Sequence, residues 1–217
     1  ARMIGAPIAA PLVEETAKGF GLVLLALLLR AEFDNVRDGF VYGALIGAGF
    51  NWVESALYIA QGYVQFGDAP WGLQLGARYA LFGLGGHVLF SGLFGAFLGL
   101  ARQMGSGWRW LVPFAGLLLA MASHALNNVL PLVGTLIQGA DGTPPPQTIE
   151  APPPVGFVEA FLSASLMNLV VFLPFVLLLG WMLVRSGRWE REVIRIELAA
   201  EAPDVVTAEE CAAIAQD

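Results

Sequence analysis

Six ionisable side chains lie inside long apolar stretches of this 217-residue chain. A charge at the centre of a membrane span costs roughly 2.5–3.5 kcal/mol on insertion scales, so such residues usually have a function. Carboxyl, ammonium and imidazole groups are also the groups that enzymes use for acid–base catalysis. We therefore interpret these six side chains as candidates for a functional site: Glu14, Glu15, Lys18, Glu54, His87 and His124.

The apolar stretches that contain these residues are long enough to cross a membrane as helices. A span needs about 20 helical residues, and the chain is 57% hydrophobic with only 13% charged residues. Helices are the expected form because a backbone in lipid must satisfy its own hydrogen bonds. The sequence therefore predicts an all-α, polytopic transmembrane helix bundle, with further helices expected upstream. The predicted spans, about five, are 6–29, 38–64, 77–101, 110–138 and 157–184.

The distribution of arginine predicts how the bundle is oriented. Arginines occur in the connections 30–37 and 102–109 and after residue 184, whereas the connections 65–76 and 139–156 contain no Lys or Arg. The positive-inside rule places the arginine-containing segments in the cytoplasm. We expect a transmembrane domain over residues 1–185 and an acidic cytoplasmic tail over residues 186–217.

The predicted depths of the ionisable side chains agree with one another. At about 1.5 Å per residue, Glu15 lies about 14 Å from the outer end of its span, and Glu54 and His87 about 15 Å. His124 lies about 21 Å deep by the same count. Arg78 is close to a predicted span end, from where it could reach the interface. Four spans thus contribute polar groups to one layer in the outer half of the membrane.

Helical spacing adds neighbouring residues to this layer. Glu14 and Lys18 are four residues apart and share a helix face, and His124 and Asn128 have the same spacing. Structural alternatives exist, because Glu14 and Lys18 could form a plain ion pair and intramembrane histidines often only join helices. We expect three supporting residues beside the candidate catalytic groups: Lys18, Asn51 and Asn128.

Four short motifs on successive predicted spans resemble those of the PrsW family of membrane proteases. Residues 11–18 contain an EExxK element, residues 50–54 an FxxxE element, and residues 124–128 an HxxxN element. His87 follows an arginine-containing stretch, as a histidine does in that family. The resemblance covers roughly residues 5–135, and the family is related to the CAAX-processing endopeptidases and to the γ-secretase scaffold. The chain departs from the pattern at Ser91, where a carboxamide or acid could have assisted His87.

The resemblance implies an intramembrane endopeptidase that hydrolyses membrane-anchored proteins, such as an anti-sigma factor, in a bacterial plasma membrane. Glu14 or Glu15 would be the general base that activates water. The sequence leaves the choice between them open, since neighbours on a helix point about 100° apart. The resemblance also implies catalysis without a cofactor or metal.

The remaining residues receive supporting roles under the same resemblance. His87 would help to position the water, and Glu54 would orient its neighbours or share protons with them. His124 and Asn128 would stabilise the oxyanion that develops on the cleaved carbonyl group.

Three other functions remain open at this point. Two histidines and a glutamate could complete a zinc site, although the chain has no His-Glu-x-x-His motif. A non-catalytic membrane scaffold could retain the same pocket, and intramembrane acids and histidines also form proton relays in transporters. Nucleic acid is excluded as a partner by a net charge of -7 without a basic stripe.

Overall fold

The computed structural model describes residues 5–139, 154–200 and 207–214, and these residues form helices and their connections without a strand. A π-helical turn, Gly5–Ala9, leads into the first α-helix, and short 3-10 turns lie at Ala80–Gly83 and Gly107–Trp110. The all-α prediction is confirmed. The α-helices are α1 (Ala10–Leu28), α2 (Val36–Phe66), α3 (Trp71–Arg78), α4 (His87–Gln103), α5 (Val112–Gly139), α6 (Phe157–Ala200) and α7 (Ala208–Ile214).

Three helical segments of the described residues are long and apolar enough to cross a membrane. They correspond to the third, fourth and fifth predicted spans, and α1 and α2 are not among them. The polytopic helical bundle is confirmed, and the number of five spans stays a prediction. The segments are Ala80–Gln103, Gly107–Pro131 and Phe157–Ala200.

The predicted continuous helix over residues 77–101 is wrong, because the chain breaks between α3 and α4. Leu81 and Phe82 have φ angles of 50° and 56°, in the left-handed region. Gly83 follows with a φ angle of 84°, which a residue with a side chain rarely adopts. Three of the four residues from 83 to 86 are glycine, and glycine disfavours the helix interior. The break makes His87 the first residue of α4.

Glycines bring α2 and α4 into backbone contact beside this break. A Cβ atom at Gly43 would overlap the backbone carbonyl of Ser91, and one at Gly47 would overlap that of His87. Small residues four apart permit such close approach of membrane helices. Gly43 and Gly47 therefore permit the tight packing of α2 against α4. Their contact fixes the beginning of α4, and with it the backbone of His87, against α2.

Helix α4 lies at the centre of the apolar core. Leu89, Phe90 and Leu93 are completely buried, and they belong to one cluster with Leu22 of α1 and Phe172 of α6. Because α4 is packed on several sides, its first residue is held in place by helices that surround it. The polar groups described below lie at this end of α4.

Helix α6 extends well past the predicted end of the fifth span at residue 184. Its 44 residues correspond to about 66 Å, whereas a hydrocarbon core is about 30 Å thick. Beyond residue 185 the helix alternates acidic and basic residues, and Arg195 contacts Glu192 at 2.7 Å. Such pairs one turn apart favour helix in water. The domain boundary at residue 185 stays a prediction, and residues 201–206 and 215–217 of the predicted tail lie outside the described residues.

Candidate active site

A cavity of about 420 Å³ lies where α1, α2, α5 and α6 surround the break between α3 and α4. Four of the five candidate catalytic residues line it, together with the supporting residues Asn51 and Asn128. The structure therefore brings side chains from four predicted spans into one site, as the predicted depths indicated. The four candidates on the wall are Glu14, Glu54, His87 and His124.

Glu15, the fifth candidate, is buried behind the cavity wall at 2% exposure. Its Oε1 atom accepts a hydrogen bond from Lys18 Nζ at 2.5 Å. His124 Nδ1 lies 2.8 Å from the same oxygen. Glu15 is thus enclosed by its partners, and its carboxyl group orients the His124 ring so that Nε2 faces Glu14 at 3.9 Å.

Lys18 joins this group to His87. Its ammonium lies 2.8 Å from His87 Nδ1 and 4.3 Å from the centre of the Phe50 ring. The same Phe50 ring packs edge-on against the imidazole of His87, with 4.8 Å between ring centres. The supporting role predicted for Lys18 therefore has a geometric basis in its contact with both Glu15 and His87.

A second chain of contacts links His87 to Arg78. His87 Nε2 lies 2.7 Å from Glu54 Oε2, and Arg78 Nη1 donates to the same carboxylate oxygen at 2.7 Å. Arg78 also donates to Gln74 through Nε at 3.0 Å and lies over the Tyr58 ring at 4.6 Å. Arg78 thus lines the cavity and pairs with Glu54, and its reach to the membrane interface stays a prediction.

Asn51 supports the broken segment through its backbone. Its Nδ2 atom donates to the carbonyl oxygen of Arg78 at 3.0 Å, and the residue is 2% exposed. A carbonyl group at the end of a helix lacks its intrahelical partner. The bond from Asn51 therefore satisfies the Arg78 carbonyl oxygen, for which the helix break leaves no intrahelical donor. The site residue Asn51 therefore fixes the end of α3 to α2.

Glu14 differs from the other two carboxyl groups of the site. Glu15 pairs with Lys18 and Glu54 pairs with Arg78, whereas Glu14 has no such bond to a lysine or arginine among the described residues. Its Oε2 atom is buried and lacks a hydrogen-bond partner in that part of the chain. The side chain is 23% exposed and faces the cavity. Glu14 is therefore the one of these three carboxyl groups that lines the cavity without a lysine or arginine partner that the structure describes.

Arg78 and Asn168 are polar residues of the cavity wall to which the sequence analysis gives no role in the site. Asn168 of α6 is 4% exposed, and its Oδ1 atom has no hydrogen-bond partner among the described residues. The motifs end near residue 135, so none of them contains Asn168. A usable signal exists, because Asn168 is the only carboxamide within the predicted span 157–184.

The residues present fit a metal site in type and proximity. One ligand atom each from Glu14, His87 and His124 lies within 4.8 Å of the others. Histidine, histidine and glutamate with an open position form a common catalytic zinc set. The bond from His124 Nδ1 to Glu15 matches the second carboxylate that usually orients a ligating histidine. His87 fits less well, since both of its ring nitrogens already contact Lys18 or Glu54.

Comparison with known proteins agrees with the motifs. Residues 1–179 match the family described as PrsW family intramembrane metalloprotease. A curated protein named Protease PrsW from Oceanobacillus iheyensis is 31% identical over 91 residues, which are 42% of this chain and 38% of that protein. Another Protease PrsW, from Geobacillus kaustophilus, is 30% identical over 123 residues, which are 57% of this chain and 50% of the relative.

The chain spans half or less of the length of these curated relatives. No solved structure matches it. The family match nevertheless covers most of the chain and includes every candidate catalytic residue. This chain therefore belongs to the PrsW family.

Proposed function

We propose that this chain forms the catalytic part of an intramembrane endopeptidase that cleaves a membrane-anchored protein. The observation that carries the proposal is the placement of Glu14, which lies on a cavity wall beside two histidines and without a lysine or arginine partner. Hydrolysis of a peptide bond needs a base that can reach water, and a fully paired carboxylate is a poor base. Membership of the PrsW family supports the same reaction class.

Glu14 is the proposed general base. It removes a proton from a water molecule in the cavity as the water oxygen attacks the carbonyl carbon of the scissile bond. The ring of His87 borders this water site, and Glu54 with Arg78 keeps the ring in position. The proton is then available for the leaving amine, so that cleavage yields a free carboxyl group and a free amino group.

His124 and Asn128 are the proposed oxyanion stabilisers. Glu15 holds the His124 ring through Nδ1, so the opposite edge of the ring faces Glu14. The carboxamide of Asn128 lines the cavity beside this ring. An N–H group placed there can donate to the developing negative charge.

Glu15 and Lys18 act as positioning residues under this proposal. Glu15 is enclosed by Lys18 and His124, so it holds the His124 ring and does not itself contact water. The choice between Glu14 and Glu15 as base, which the sequence left open, is therefore proposed in favour of Glu14.

A metal-dependent mechanism is the second candidate, and two observations favour it. Donor atoms of Glu14, His87 and His124 lie close together, and the matching family is described as a metalloprotease. These three residues would hold the ion, with Glu15 orienting His124. A bound zinc ion would supply a Lewis acid that activates water and polarises the carbonyl group.

The substrate and the orientation of the protein are also proposals. Polar cavity walls inside a helical bundle suit a substrate segment that enters from the membrane, such as the span of an anti-sigma factor. The arginines beyond residue 184 favour a cytoplasmic location for the end of α6 in a bacterial plasma membrane. A broken helix also occurs in transporters, but the family match favours proteolysis.

Reconstituted protein with a single-span substrate tests the mechanism. We expect Glu14→Gln to reduce cleavage by about a thousandfold, which is the scale of losing a general base. Glu15→Gln, Glu54→Gln and His124→Ala should each reduce cleavage as well. Glu159→Gln is the matched control, since Glu159 is an exposed acid on α6. This variant should cleave the substrate at the normal rate.

The outcomes separate the alternatives. Undiminished cleavage by Glu14→Gln would contradict the proposed base. Chelator-sensitive cleavage with one zinc ion bound per purified chain would favour the metal-dependent mechanism, and activity without bound metal would favour the glutamate mechanism. A protein that binds membrane substrates and cleaves none of them would be the scaffold.

A further inference from the structure

Asn168 has a buried carboxamide that the proposed chemistry does not use. The residue is 4% exposed and lines the same cavity as Glu14, His87 and His124. Its Oδ1 atom has no hydrogen-bond partner among the residues that the structure describes. A buried acceptor without a partner is costly, so an unpaired acceptor on a cavity wall indicates a ligand that supplies a donor.

The position of this carboxamide is closely defined by the broken segment. A Cβ atom at Gly85 would overlap Nδ2 and Cγ of Asn168, so the amide group packs directly on the Gly85 backbone. Gly85 and Gly86 also line the cavity and immediately precede His87. Four residues after Asn168 on the same helix, Phe172 is completely buried in the core. The carboxamide is therefore held next to the catalytic histidine candidate.

Ser91 provides a comparison within the same bundle. Its Oγ atom is also buried and lacks a hydrogen-bond partner in the described residues, yet Ser91 does not line the cavity. The two residues therefore differ in that only Asn168 lies on the cavity wall. The family resemblance suggests a carboxamide or acid at position 91, where it could assist His87. This chain has serine there, and Asn168 of α6 places a carboxamide on the cavity wall that His87 also lines.

We propose that Asn168 is a substrate-binding residue whose Oδ1 atom accepts a hydrogen bond from a main-chain N–H of the substrate beside the scissile bond. A peptide segment unwound for cleavage inside a membrane has N–H groups that lipid cannot satisfy. The donor that Asn168 recognises is present in every peptide, so the contact positions the chain independently of side chains. This inference rests on the proposed function in that the ligand is a peptide.

Peptides with single amide-to-ester replacements test the proposed bond. Each ester removes one N–H group near the cleavage position and leaves the side chains unchanged. Binding of a fluorescent single-span peptide to the detergent-solubilised full chain is the readout, so that cleavage is not required. We expect one ester position to weaken binding about tenfold, the scale of one buried hydrogen bond.

Variants of Asn168 show whether that bond is made to its side chain. Asn168→Leu retains the bulk against Gly85 without an acceptor, so it should bind the amide peptide about tenfold more weakly and lose sensitivity to the ester. Asn168→Asp retains an acceptor and should retain the ester sensitivity. Ser91→Ala, the matched control, should bind both peptides like the unsubstituted protein.

Three outcomes would overturn the inference. Asn168→Leu could bind both peptides as the unsubstituted chain does. It could bind both more weakly but keep the ester sensitivity, which indicates a structural role only. The unsubstituted chain could fail to bind any such peptide. Failure of the proposed function gives a different result. In that case the chain binds peptides with the ester sensitivity that depends on Asn168, but it cleaves none of them.

Discussion

Two successive segments of α2 show opposite solutions to packing inside a membrane. In the glycine segment, around Gly43 and Gly47, the backbones of two helices touch. In the polar segment, about two turns further along the same helix, an arginine and a histidine contact the carboxylate of Glu54. Close backbone contact makes the glycine segment rigid, whereas the polar segment depends on charge pairing. The comparison indicates that the glycine segment holds the polar segment in position.

The largest effect is expected from removing a charge at Lys18 of α1, which is linked to Glu54 of the polar segment through His87. Lys18→Met leaves Glu15 buried beside His124 without its cation, and an unpaired buried charge costs about 3–5 kcal/mol. We expect a lower free energy of unfolding in detergent, measured by denaturant titration. The double variant Glu15→Gln with Lys18→Met should recover most of the loss. An equally unstable double variant would indicate that packing, and not charge pairing, dominates this region.

A methyl group in the glycine segment should have an intermediate effect. Gly47→Ala introduces a Cβ that overlaps the His87 carbonyl, and overpacking typically costs about 1–3 kcal/mol. Because the shift moves His87, cleavage should fall together with the melting temperature. Gly49→Ala is the matched control, since no atom lies within 4 Å of a Cβ at Gly49. Equal behaviour of the two variants would contradict the role given to close contact in the glycine segment.

The smallest effect is expected outside the bundle. Arg195 and Glu192 form an ion pair one turn apart on α6, and both side chains are exposed to solvent. Solvent and salt screen such pairs, so their contribution to stability is small. Arg195→Met should leave both the melting temperature and cleavage unchanged. A clear loss of stability would show that this part of α6 contacts something that the bundle does not contain.

The sequence was sufficient to identify those site residues that are recognisable by their type and by their position in a predicted span. Glu14, Glu54, His87 and His124 could be identified because an ionisable group inside an apolar stretch is conspicuous, and one residue per span gives a depth. Their convergence in one cavity agrees with those depths. The catalytic roles assigned to them stay predictions.

The parts that sequence reasoning missed depend on tertiary support. The backbone at Leu81 and Phe82 adopts left-handed angles that no local propensity favours, and it is stabilised by contacts such as the bond from Asn51 to Arg78. Without knowledge of this break, Arg78 is assigned to a span end. Asn168 was missed for a different reason, because a single amide in an apolar span has no helical partner to form a motif.

The pairing of Glu54 with Arg78 has a consequence for how the chain enters the membrane. Glu15 pairs with Lys18 three residues later on the same helix, so this pair can form as soon as α1 is helical. Glu54 pairs with Arg78, which is 24 residues later and lies on the next helix. We expect α2 and α3 to enter the lipid together as one hairpin, because α2 alone would expose an acid without its cation. The sequence distance between the partners of each ion pair thus determines which helices can insert alone and which must insert together.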